Sequence, residues 1–135
     1  MPEPDRLRKL AGRLATYLQG YGAVLVQANR WSQAELERFR ADPFVRDFGG
    51  AFDASASLAD LRRLADLLPA DWLEASATGS PRACAERIAD QFDAGADSVV
   101  LHGATPAELA PVVTAWRQVR PPELNRMPAN PGWSR

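Results

Sequence analysis

Between two stretches of helical pattern lies a short segment, Ser98 to His102 (SVVLH), that is β-branched, apolar and bounded by polar residues and glycine. It reads as a buried strand. One strand cannot make a sheet, because each of its buried amides and carbonyls left without a partner costs about 1–3 kcal/mol. Helix, strand, helix is the order of a parallel α/β layer. The further strands of such a layer are hard to find: AVLVQA (23–28) and GGAFDA (49–54) are the remaining candidates, and both are weak. Hydrogen-bond satisfaction alone therefore predicts an α/β chain, mostly helical with one confident strand. Its sheet would be completed by another chain or by the rest of a longer protein.

Helical signals fill most of what remains. Leu7, Leu10, Ala11, Leu14, Ala15 and Leu18 recur at three-and-four spacing, which predicts a helix from about Arg6 to Gln19, stopped by Gly20 and Gly22. The AVLVQA run suits a strand or a buried helical turn, and its flanks favour helix. Ser32 with Glu35, Ser57 with Asp60 and Thr105 with Glu108 have the spacing of capping boxes. Ser80 is a cap followed by Pro81 at the first helical position. The helices so opened turn Leu36 and Phe39, then Leu58, Leu61, Leu64, Ala65 and Leu68, inward. Cys84, Ile88 and Phe92 form a third stripe, and Leu109, Val112, Val113 and Trp116 a fourth. The stretch 42–55 has no period and predicts an ordered loop of one or two turns, pinned by Phe44, Phe48 and Phe52. No repeat or composition shift divides residues 1–120, and the Pro- and Asn-rich 121–135 reads as a loose tail.

A length of 135 residues is that of one ordinary domain. Seventeen acidic against 16 basic residues leave a net charge of -1, which gives no field for drawing nucleic acid or an anionic membrane. One cysteine excludes an internal disulfide and a cysteine-rich zinc site, and it fits a reducing cytoplasm. One histidine excludes a multi-histidine metal centre. There is no apolar run long enough to span a bilayer, and MPEPDRLRKL is charged where a signal sequence would be apolar. The expected location is the cytoplasm, with no membrane and no nucleic-acid partner.

Three stretches in order, TGSP (78–81), RIADQFDAGADSVVLHG (87–103) and PAELAPVVTAWR (106–117), resemble the C-terminal portion of the luciferase-like monooxygenase superfamily. The upstream stretch 14–54 is similar to the branch that uses the deazaflavin coenzyme F-420. The resemblance runs over about residues 6 to 120. It implies the C-terminal part of a (β/α)8 TIM barrel, a fold of about 250 residues, so that 1–120 is a C-terminal barrel segment and the chain a fragment without the first strands. It also implies an oxidoreductase acting on a small molecule. Reduced coenzyme F-420, or alternatively FMN, would carry the hydride or activate oxygen, and the protein would orient it. The implied partner is a second copy in a homodimer or a complementary N-terminal barrel chain. The alternative is a non-catalytic helical module that completes its sheet by such pairing.

Few residues are candidates for chemistry. His102 stands at the C-terminal end of the expected strand, the rim that carries catalysis in such barrels, where an imidazole suits proton transfer. Its plainer role is a hydrogen bond to a neighbouring loop. Gly79 and Ser80 open a helix whose free amides suit a cofactor phosphate, although a simple turn and cap explain them as well. Cys84, in the first helical turn near Arg82, is either a nucleophile or an inert buried thiol. Asp90, Asp93 and Asp97 do not have the spacing of a calcium loop, and no metal site is expected. Trp31, Trp72 and Trp116 read as packing residues.

Overall fold

The computed structural model describes residues 3–74 and 76–126. Among the described residues 74% are helical and no strand forms. This overturns the α/β expectation of a TIM-barrel part with one confident strand. Ser98–His102 runs without helix, turn or bend, and the backbones of Val99, Val100 and Leu101 make no hydrogen bond. A strand exists only as one side of a ladder, and neither candidate partner supplies the other side. Residues 23–28 are helical, and residues 52–54 of the other candidate lie in a short helix. By its internal contacts the chain falls into two compact units, Met1–Ser76 and Ala77–Arg135.

In the first unit, α1 (Glu3–Leu7), a π-helical turn (Arg8–Gly12) and α2 (Arg13–Asn29) follow one another without leaving helical geometry. The helix passes straight through Gly20 and Gly22, where the glycines predict a stop. It ends at Arg30, whose φ of 56° is left-handed, with the Trp31 amide returning to Val26 O at 2.9 Å. Gly22 is a packing device instead. A Cβ placed there would lie 2.7 Å from Leu36 Cδ1 and 2.9 Å from Arg40 Nη2, so α3 (Gln33–Ala41) approaches the α2 backbone closely. Arg40 Nη2 donates to Leu18 O at 2.9 Å, a carbonyl on the same stretch of α2. Gly12 plays the same part lower down, where a Cβ would sit 2.9 Å from Leu61 Cδ2 and 3.3 Å from Asp53 Cα.

Against this spine pack α4 (Pro43–Asp47), α5 (Phe52–Ser55), α6 (Leu58–Leu67) and α7 (Ala70–Glu74). Their apolar residues Val45, Phe52, Leu61, Leu64 and Trp72 join Ala15, Leu18, Val26, Leu36 and Phe39 in one buried cluster. The aperiodic 42–55 stretch holds two short helices, and its three phenylalanines pin it to the core as expected, Phe52 buried in the cluster and Phe44 and Phe48 packed against it, with Phe48 stacking on Phe52 at a centroid distance of 4.2 Å. Trp72 is buried and stacks on Trp31 at 4.6 Å with the rings 10° from parallel. The Ser57–Asp60 capping box is complete, with the Ser57 amide donating to Asp60 Oδ2 at 2.9 Å and the Asp60 amide to Ser57 Oγ at 3.2 Å. At Ser32 only half of the box forms. Ser32 Oγ accepts the Glu35 amide, while the Glu35 carboxylate turns to Arg38.

The second unit consists of α8 (Pro81–Asp93), the connection 94–105, α9 (Pro106–Val119) and a 3-10 turn (Pro122–Arg126). Helices α8 and α9 pack on each other, with Phe92 stacked on Trp116 at 5.5 Å. Gly95, with φ 98°, ends α8 by donating to Phe92 O at 2.9 Å, and the Thr105–Glu108 box starts α9. Of its described residues only Ala85 and Ile88 are buried. From residue 127 on, the expected loose tail lies outside the described residues.

Two measurements follow from the first unit. Gly22→Ala gains about 1 kcal/mol of helix propensity but overpacks the α2–α3 contact by about 1–3 kcal/mol, so it lowers the denaturant midpoint. Gly20→Ala, with nothing within 4 Å of its Cβ position, raises it. Hydrogen bonds from the Ser57 hydroxyl, then from its amide, hold the Asp60 carboxyl below its ordinary value of 3.8. A carboxylate depressed in the folded state stabilises at neutral pH, and that contribution is lost as pH falls through the folded value. Asp60→Asn therefore flattens this part of the acid limb when urea midpoints are measured against pH.

Candidate functional site

Gly79 and Ser80 stand together at the start of α8. Gly79 takes φ 108°, a conformation suited to glycine, and sets Ser80 in extended geometry ahead of the helix. Ser80 Oγ accepts the Ala83 amide at 3.1 Å, and Ser80 O accepts the Cys84 amide at 3.0 Å. Pro81 has no amide to offer, and the Arg82 guanidinium is paired with Glu86 at 2.9 Å. The Arg82 amide is all that the first turn leaves uncommitted. A phosphate held at a helix start needs several converging donors, and here the donors are spent on the cap and on an ion pair. These residues do not fit the phosphate end of coenzyme F-420 or of FMN.

His102 is exposed in the connection between α8 and α9, and Gly103 with φ 87° follows it. The strand end on which it was expected is not formed, so the rim argument for a catalytic His102 loses its geometry. Cys84 is a free, half-buried thiol on α8. Asp90 pairs with Arg87 at 3.9 Å, and among the described residues no three His, Cys, Asp or Glu side chains gather into a metal-binding group.

Two open grooves are found among the described residues of the first unit. One, of about 550 Å³, is lined by Arg38, Phe39, Ala41, Asp42, Asp66 and Leu67. The other, of about 420 Å³, is lined by Pro43, Phe44, Asp47, Phe48 and Arg63. Apart from Asp66, their charged side chains are already engaged. Arg63 lies 4.6 Å over the Phe44 ring and 3.2 Å from Asp42 Oδ1, and that same oxygen accepts the Phe44 amide at 2.8 Å. Neither groove holds a nucleophile beside a base.

The best-built polar cluster is one that no local spacing signals. Arg8 donates to Asp53 O at 3.2 Å and to Ala56 O at 3.0 Å. Thr16 Oγ1 accepts the Asp53 amide at 3.1 Å and lies 2.9 Å from Asp53 Oδ1 and 3.0 Å from Gly12 O. Arg13 adds an ion pair to Asp53 at 3.4 Å. Apart from Thr16 and Gly12, the partners are 37 to 48 residues apart in sequence. The cluster ties α5 to the first helix, and its atoms face one another rather than a cavity.

No family model matches the chain, nor does any curated protein or solved structure. Among the described residues no helix is long and apolar enough to cross a membrane.

If Ser80 is a cap and no more, Ser80→Ala costs about 1 kcal/mol of local stability, seen as faster amide exchange in α8. Titration of the unsubstituted chain with inorganic phosphate then leaves the amide resonances of residues 79–84 without saturable shifts.

Proposed function

We propose that the chain serves as the C-terminal helical region of a luciferase-like oxidoreductase, working beside a polypeptide that bears the coenzyme rather than holding coenzyme itself. The observation that carries this is the order of punctuation over 78–119. The motif TGSP coincides with the Ser80–Pro81 helix start, Ala-Gly-Ala-Asp with the Gly95 helix end, and the segment SVVLH with part of the connection between α8 and α9. Thr105–Pro106 then opens the last long helix. Coenzyme F-420 or FMN would supply hydride transfer or oxygen activation on a small-molecule substrate. The residues of this chain would contribute packing, through α8, α9 and the Phe92–Trp116 stack, and water exclusion.

Complementation tests the proposal. A luciferase-like F-420-dependent enzyme deleted from its own Gly-Ser-Pro helix onward is assayed with and without this chain. Recovery of coenzyme-dependent turnover is the expected result, together with no thermal shift when coenzyme F-420 or FMN is added to this chain alone. Failure of the chain to restore any turnover would sink the oxidoreductase assignment, and a coenzyme-dependent shift of the chain alone would sink the division of labour.

A further inference from the structure

We infer that Ser98–His102 is a self-complementary docking edge through which two copies of this chain pair antiparallel, with Val100 opposite Val100 of the second copy. Three observations converge on it, and none depends on the oxidoreductase assignment. The segment holds no helix, turn or bend, and the backbone groups of Val99, Val100 and Leu101 are without hydrogen-bond partners. Burial alternates along it: Val99 and Leu101 are half-buried, while Ser98, Val100 and His102 are exposed, Val100 to 84%. That period of two is the signature of extended chain with one face turned inward. An open edge of this kind is a template for another strand.

The order of residue types names the occupant. Polar, three apolar, polar is symmetric about Val100, so an antiparallel copy centred there sets apolar against apolar throughout. Val99 falls opposite Leu101 on the inward face, and Ser98 opposite His102 on the outward face. With Val100 in a non-hydrogen-bonded pair, Val99 and Leu101 exchange both backbone bonds with their opposite residues, which satisfies the open groups of those two, while the Val100 amide and carbonyl face the outer side of the ribbon. A shift of one residue sets inward side chains against outward ones and loses the match. A two-stranded ribbon of this length is marginal and its interface falls in the weak class, so the association depends on concentration.

Cross-linking of the full chain tests the register. In a Cys84→Ser background, Val100→Cys places two sulfurs on residues whose Cα atoms are about 4.5 Å apart, within disulfide reach. Oxidation should give a covalent dimer at a rate that rises with concentration. Val99→Cys alone and Leu101→Cys alone should cross-link at least tenfold more slowly, and a mixture of the two should recover the fast rate. Because Val100 is exposed, the substitution leaves the fold intact, which circular dichroism checks. Equal rates for Val100→Cys and Val99→Cys overturn the register. Sedimentation equilibrium of the unsubstituted chain supplies the second measurement. A monomer at every concentration, or self-association that survives Val100→Asp, overturns the pairing, the former leaving the edge to a different polypeptide.

Discussion

The approach of α3 to the α2 backbone at Gly22 sets the geometry of the first unit. A helix normally presents side chains to its neighbours, which holds axes apart; a glycine at the crossing removes that spacer. Leu36 enters the gap, and Arg40 reaches the Leu18 carbonyl, where a guanidinium can add a hydrogen bond without breaking the helix. Gly12 admits Leu61 and the Asp53 backbone in the same way. With both contacts on one continuous helix, the short helices α4 to α7 need little length of their own. Each contributes one or two apolar residues to a cluster whose position the long helix has already determined.

How much of this could be read from the chain depended on range. Caps are local, and the Ser57, Ser80 and Thr105 starts stand where residue types predict them. The Ser32 box is incomplete because Glu35 has a nearby competitor in Arg38, a choice that spacing alone does not rank. Gly20 and Gly22 were misleading for a different reason. Glycine marks both the end of a helix and the place where another backbone comes close, and sequence does not distinguish the two uses. The Arg8–Thr16–Asp53 cluster was invisible because it joins residues far apart. The strand failed on the objection raised against it from the start, that a ladder needs a second side.

The candidate site was legible as positions and not as chemistry. Gly79 and Ser80 do begin a helix, yet the distances show their hydrogen-bonding capacity used within the turn. His102 lost its setting with the strand. What took their place in the second unit is a backbone feature, the open stretch around Val100, which side-chain motifs could not have announced. The division of the chain near residue 76 was equally silent, since no composition shift accompanies it.

The two units are unequally furnished inside. Ten or more apolar residues are buried together in the first, while Ala85 and Ile88 are all that the described part of the second encloses. Buried apolar area is the main source of cooperativity in folding, so the two units need not lose their structure together. Heat or denaturant acting on this chain would pass through a state with α2 and its neighbours intact and α8 and α9 released. A single unfolding free energy then does not describe the molecule, and its calorimetric and van't Hoff enthalpies would disagree.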